Sequence, residues 1–249
     1  IKKLNRKDGN GMIKVSNHRK MNGYIEKYNI DNMFSMDMKP FMELVLFKKN
    51  EYICRENEYI KYFFLFVEGK AKVYITISNG KSLLICFDKE LQTVGEMEVI
   101  NSEAAATNIQ VLQDTYCIAI PMEQARAHLL EDTKFLRFIG DSLGKKLDRN
   151  LKNSSINLLY PLEKRLASYI LATGEEVYDA GESPGDSGRR TIRFRENLTE
   201  ISEMLGTSYR HLLRTLNNLC SKGILMKKDN YFEVINQEFL RKLAADLYK

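Results

Sequence analysis

The sequence predicts an α+β chain in three parts: an N-terminal β-roll, a long amphipathic helix, and a C-terminal helix-turn-helix that carries a hairpin wing. Three observations predict it. Between Leu44 and Pro121 short apolar runs alternate with turn signals. From Thr133 the apolar period lengthens to three and four residues. From Asn197 two helical patterns flank a glycine, and two strand-like runs follow them.

Residues 1 to about 36 are polar and rich in Met and Asn, with little periodicity, and read as a flexible arm that ends in a short helix near Met33 to Leu44. The roll is then expected over 37–132. Its runs include Phe63-Phe64-Leu65-Phe66-Val67, Val73-Tyr74-Ile75-Thr76-Ile77, Ser82 to Phe87 and Tyr116 to Ile120, crowded with β-branched and aromatic residues. Asn79-Gly80 lies between two of them. That pair suits a type I′ turn, whose central residues both need positive φ.

From Thr133 to Tyr160 the spacing predicts a single helix of roughly 40 Å at 1.5 Å per residue. Leu136, Ile139, Leu143 and Leu147 form a narrow stripe, and the other faces carry Lys145, Lys146, Asp148, Arg149 and Lys152. One small roll cannot cover a helix of that length, so the stripe is expected to pair with a second copy in a homodimer, with 133–160 as the dimerisation helix. Pro161 opens the next helix, Leu162 to Ala172, and the Gly- and Pro-bearing stretch from Gly174 to Arg190 reads as a flexible loop.

Residues 161–249 form the predicted DNA-binding domain. Thr199 is placed to cap a helix whose inner face is Ile201, Met204 and Leu205; Gly206 ends it; Ser208 caps a second helix, Tyr209 to Cys220, with Leu212, Leu213, Leu216 and Leu219 facing inward. Ile224 to Lys228, the turn Asp229-Asn230 and Tyr231 to Ile235 predict the wing. The outer face of the second helix presents Tyr209, Arg210, His211 and Arg214, with Thr207 and Ser208 at its N-terminus and Lys222 and Lys227 toward the wing. Arginine donates bidentately to guanine and a helix N-terminus favours phosphate, so these residues are candidates to contact double-stranded DNA.

Composition narrows the remaining choices. The 249 residues are 44% hydrophobic and 29% charged, with 38 basic and 33 acidic side chains and a net charge of +5. No run approaches the ~18 apolar residues of a membrane span, and the polar start is unlike a secretory leader. The four cysteines, Cys54, Cys86, Cys117 and Cys220, lie more than 30 residues apart, which suits neither a zinc site nor a disulfide framework and points to a reducing cytoplasm. No Ser/His/Asp set and no metal-ligand spacing is present, so neither catalytic nor metal-binding residues are assigned and the chain reads as a non-enzyme.

Roll, long helix and winged helix-turn-helix in that order resemble the Crp/Fnr family over about residues 40 to 240. The resemblance is carried by Phe66 to Val73, by Val94-Gly95-Glu96 and by the helix-turn-helix. The run Gly95 to Ile100, with Leu162 to Ala167 and Ser208 to Leu213, is similar to the YeiL-type branch. It implies a cyclic-nucleotide-binding-like roll, a homodimer on a two-fold operator, RNA polymerase as a protein partner, and a small-molecule effector beside Gly95 and Glu96. It also places Arg210 where the cyclic-AMP-binding member has a carboxylate that accepts from cytosine, and Arg214 on a base-reading arginine.

The departures from that family decide what the effector is not. Its cyclic-AMP-binding members hold the phosphate with an arginine that falls at about Ala105 here, within Glu103-Ala104-Ala105-Ala106-Thr107. Near Asn150 and Leu151 the Thr-Ser pair that meets adenine is also missing. Without that cation a buried phosphate is uncompensated, so cyclic AMP is not expected and no cofactor is assigned. No cysteine precedes Cys54, which leaves the family's N-terminal iron–sulfur site without ligands, and His18, His128 and His211 offer no haem ligand within the roll. The alternative reading is a nucleotide-responsive regulatory module of a partner protein. Such a module would keep the arginine and lack the wing, the reverse of this chain.

Overall fold

The computed structural model describes residues 4–7, 11–78, 80–88, 91–179, 189–195 and 197–244. The chain divides into two units, one made of Ile1–Thr76 with Ile85–Asn150 and the other of Ile77–Leu84 with Leu151–Lys249.

Up to the end of the long helix the elements run β1 (Leu4–Lys7), β2 (Ile13–Val15), α1 (His18–Lys27), β3 (Glu43–Phe47), β4 (Tyr52–Cys54), β5 (Tyr62–Glu68), β6 (Ala71–Thr76), β7 (Ser82–Asp88), β8 (Gln92–Val94), α2 (Glu96–Asn101), β9 (Asn108–Val111), β10 (Thr115–Pro121), α3 (Met122–Leu129) and α4 (Thr133–Leu159). All belong to the first unit except the start of β7 and the end of α4, which fall in the second. One sheet has the order β1-β2-β3-β10-β5-β8 and the other β4-β9-β6-β7. β10 is antiparallel to both neighbours, with Cys117 opposite Val45 and Ile118 opposite Leu65.

The apolar runs are unbroken because both faces of the central strands are covered. Phe64 and Phe66 of β5 join Cys117 and Ala119 of β10 in a core between the sheets. Phe63, Leu65 and Val67 join Ile118 and Ile120 in a second core on the other face, under α1, α3 and α4. Period two, read on both sides, yields a continuous apolar run.

That second core corrects the expectation of a flexible arm. Leu4–Lys7 and Ile13–Val15 pair as antiparallel strands. Met21, Tyr24 and Ile25 of α1, with Ile30, Met33 and Phe34, are buried in the cluster. Each large apolar side chain so buried contributes about 1.5–3 kcal/mol, which is why a segment without regular period is nonetheless fixed. The short helix expected near Met33 to Leu44 is instead two 3₁₀ turns, Ile30–Met33 and Lys39–Phe41, leading into β3. Phe34 stacks on Phe135 of α4 at 5.9 Å. Ser35 donates to Asp132 from its backbone at 2.6 Å and its hydroxyl at 2.7 Å, and Asp132 also accepts from the α4 amides of Lys134 and Phe135. Burial opposes the Asp132 carboxylate, but these donors outweigh it and hold its pKa below the ordinary range.

Asn79 of the expected β6–β7 turn lies outside the described residues, as do Gly181, Pro184, Gly185 and Gly188 of the expected loop. Gly80 has φ +81°, the left-handed value such a turn needs.

The second unit holds α5 (Leu162–Thr173), β11 (Glu175–Asp179), β12 (Arg189–Phe194), α6 (Leu198–Met204), α7 (Tyr209–Ser221), β13 (Leu225–Lys227), β14 (Phe232–Val234) and α8 (Gln237–Ala244). The ends of the stretch read as a loop are strands: β11 pairs with β12, with Val177 opposite Thr191. β12 continues through β14 to β13 in one four-stranded sheet. Tyr169 of α5 meets the Phe194 ring edge-on at 6.2 Å, and Leu166, Ile170, Ile201, Leu212 and Leu216 are buried as well. No helix among the described residues is long and apolar enough to cross a membrane.

Candidate nucleic-acid interface and effector pocket

α6 begins on Asn197, whose side-chain oxygen accepts from the Thr199 amide at 2.9 Å. The cap is therefore Asn197 rather than Thr199, because the carboxamide reaches the amide two residues on. Gly206, at φ +58°, closes the helix: its N–H donates to Glu203 O, and the Thr207 N–H to Ser202 O, both at 2.8 Å. Ser208 caps α7, accepting from the His211 amide at 3.2 Å. Arg165 of α5 fastens the turn by donating to the Leu205 carbonyl.

α7 divides cleanly into two faces. Leu212, Leu216 and Leu219 are fully buried, Thr215 is nearly so and Leu213 is half-buried. Tyr209, Arg210, His211 and Arg214 are exposed, and among the described residues neither arginine has an ion-pair partner. Thr207 and Ser208 stand at the N-terminus, with Thr207 Oγ1 3.3 Å from His211 Nδ1. Lys222 differs from the others: its ammonium is held by Glu163 of α5 at 2.6 Å, so its charge is largely matched within the domain. Lys227 is exposed on β13, which pairs with β14 through Lys227 opposite Phe232, and the Lys228 N–H closes the wing turn on Tyr231 O at 2.9 Å.

Sequence reasoning missed Arg193 and Arg195. Both guanidinium groups lie 5.4 Å from the Tyr231 ring, which brings the end of β12 and the residue after it to the wing. The alternation Arg193-Phe194-Arg195 was the available signal, hidden once the preceding stretch was read as loop.

In the roll, Gly95 precedes α2 with φ +98°, and a Cβ there would stand 3.1 Å from Tyr62 O. Glu96 and Glu98 follow in the first turn, both buried. They line a cavity of about 350 Å³, with Cys54, Cys86, Val94 and Asp88 from the strands and Leu143, Lys146, Arg149 and Asn150 from α4. That is the size of a small-ligand site. Lys146 donates to the Glu96 carboxylate and, at 2.6 Å, to the Thr93 carbonyl. Arg149 meets Asp88 at 2.8 Å. Burial pushes the thiols of Cys54 and Cys86 up to about 12, so both stay protonated at neutral pH.

A cyclic phosphate does not fit these residues. Ala105 is buried and bonds through its backbone to Glu58 and Asn57, so it supplies no cation. Lys146 and Arg149 each answer a buried carboxylate already. A second cavity of like volume, lined by Phe47, Ile53, Tyr59 and Tyr62, has its charged residues Arg55, Glu58 and Lys61 in solvent and so implies nothing about ligand charge.

The stripe assigned to dimerisation splits in two. Ile139 is 1% exposed and buried in the roll's second core beside Phe135, and Leu143 packs against that core. Leu136, Leu147, Leu151 and Leu158 are exposed, at 39%, 62%, 62% and 84%. A helix bearing apolar residues at both three- and four-residue spacing shows two adjacent stripes, and the roll takes the one that includes Ile139.

Two known domain families match the chain: the cyclic nucleotide-binding domain over residues 44–132 and the Crp-like helix-turn-helix domain over residues 164–243. The regulatory protein YeiL of Escherichia coli O157:H7 is 32% identical over 214 residues, covering 86% of this chain and 91% of YeiL. Solved structures share the fold. A crp/fnr-family protein from Eubacterium rectale ATCC 33656 superposes with a TM-score of 0.68 at 14% identity, over 90% of this chain and 100% of that one. A CRP-family transcriptional regulator from Thermus thermophilus superposes with 0.61 at 14% identity, over 82% and 98%. With its capped, basic-faced α7, its wing and its roll, the chain belongs to the Crp/Fnr family and is a DNA-binding transcription regulator of that type, not an enzyme.

Proposed function

We propose that the chain acts as a homodimer on a two-fold operator, reads bases through Arg210 and Arg214, and answers to a small-molecule effector other than cyclic AMP. In this reading 37–132 is the effector domain, 133–160 the dimerisation helix, 161–249 the DNA-binding domain, and RNA polymerase the protein partner. The observation that carries it is the face of α7: two arginines one helical turn apart, exposed and without ion pairs among the described residues, on a helix whose opposite face is buried. Tyr209, His211, Thr207 and Ser208 flank them, and Lys227 extends the positive surface. Lys222 takes a minor part, given its bond to Glu163.

Dimerisation is assigned to Leu136, Leu147, Leu151 and Leu158, with Leu143 at the edge. Ile139 is withdrawn from it because the roll already covers that side chain. Two recognition helices then enter successive major grooves about 34 Å apart. The effector lies beside Gly95 and Glu96, where its contacts with α4 side chains would link occupancy to the dimer helix. Binding-site selection with the wild type, Arg210→Ala and Arg214→Ala tests base reading. Each variant is expected to relax the preference at one position per half-site and to lose about 1–3 kcal/mol there. Uniform loss of affinity with unchanged preference would reduce both arginines to phosphate contacts.

A further inference from the structure

We propose that the cavity beside Glu96 takes a small organic cation, an ammonium head on an apolar body, with Glu98 as its counter-ion. The inference rests on the reading of this cavity as the effector site and adds the charge of its occupant.

Glu98 is 9% exposed and lines the cavity. Its carboxylate accepts from its own backbone N–H and, among the described residues, has no cation bound to it. The nearby cations are engaged: Lys146 with Glu96 and the Thr93 carbonyl, Arg149 with Asp88, and Arg126, which lies outside the cavity lining, with the Glu98 backbone carbonyl at 2.8 Å. Of the carboxylates in the lining, Glu103 is exposed and Asp88, Glu96 and Glu98 are buried, which sets three buried carboxylates against Lys146 and Arg149. A carboxylate buried without a partner is costly. Burial pushes the Glu98 pKa up, and the neighbouring Glu96 adds to it. A ligand that brings a positive charge removes that cost and forms a charge-assisted hydrogen bond where water is scarce.

The rest of the wall suits an apolar body: Val73, Ile85, Val94 and Ile109 line the same space. One group favours an acceptor. The Nε of Arg149 is buried without a partner and would take a neutral oxygen of the ligand. It does not reverse the sign of the site, because the arginine's charge is matched by Asp88. An anion would enter a cavity whose excess charge is already negative.

Calorimetry on the intact chain near neutral pH with n-pentylammonium, n-pentanol and n-pentanoate separates charge from apolar bulk. The ammonium is expected to bind about tenfold more tightly than the alcohol, and the carboxylate more weakly than either, tenfold being about 1.4 kcal/mol. Glu98→Gln keeps the shape without the charge and should abolish the preference for the ammonium. A raised pKa in the folded state means that ionised Glu98 weakens the fold above the ordinary carboxylate range, so the variant should melt at or above the wild-type temperature. Equal affinity for ammonium and alcohol, no binding of any probe, or ammonium binding that survives Glu98→Gln would overturn the proposal. If the variant fails to fold, the three-probe comparison on the wild-type chain decides alone. Retention on duplex DNA is read in parallel: a chain that holds DNA and shows no preference for the ammonium overturns the cation site and leaves the regulator reading standing.

Discussion

On α7, Arg210 and Arg214 stand in solvent, and no carboxylate is paired with either among the described residues. On α4, Lys146 and Arg149 lie over a cavity, and each is bound to a carboxylate that is itself buried, Glu96 or Asp88. The same residue types serve opposite ends. Unmatched cations on an exposed helix face create the positive field that a polyanion answers. Matched cations in the roll hold a helix in place, since breaking such a pair leaves a largely buried charge without its partner.

The strongest way to break this comparison is Asp88→Asn. It strands the Arg149 guanidinium, and urea unfolding should show a loss of about 3–5 kcal/mol. A loss below about 1 kcal/mol would place the pair among ordinary surface contacts. Next come the two stripes of α4. Ile139→Ala should destabilise the roll by about 2–5 kcal/mol without changing the oligomeric state. Leu147→Asp with Leu151→Asp should leave thermal unfolding of the roll unchanged and give monomers in sedimentation. A dimer that persists would move the seam off α4. Smaller again is Arg214→Ala, which should cost about 1–3 kcal/mol at the selected operator and little on random duplex. The smallest effect is expected from Lys222→Ala, about 0–1 kcal/mol at either DNA, because its partner Glu163 already absorbs its charge. An effect as large as that of Arg214→Ala would mean that DNA displaces Glu163.

What was legible in the sequence was what local periodicity encodes. The roll strands, the length of α4, Gly206 and the Ser208 cap each follow from neighbours a few residues away. What was missed depends on distant partners. The segment before Met42 has no period because its side chains fill a cluster from two 3₁₀ turns and a short helix, and its Met and Asn content mimics a tail. β11 and β12 were obscured by the Gly- and Pro-bearing stretch between them. Ile139 was assigned to the wrong stripe because three- and four-residue spacings overlap on one helix. Gly95 and Glu96 were found by pattern, but the isolation of Glu98 was out of reach. It depends on Lys146, some 50 residues on, choosing Glu96.

The tie between Ser35 and Asp132 has a practical consequence for anyone who wishes to prepare the roll by itself. The matching domain family begins at residue 44. A fragment cut there would discard eight of the twenty buried residues described in the cluster under α4, take Phe34 from the face of Phe135, and strip Asp132 of both Ser35 donors. The face left bare is the sheet surface of Leu65, Val67 and Ile118, which in a shortened chain becomes an adhesive patch. The boundary of the piece that folds therefore lies upstream of the boundary that family likeness suggests, no later than the start of α1.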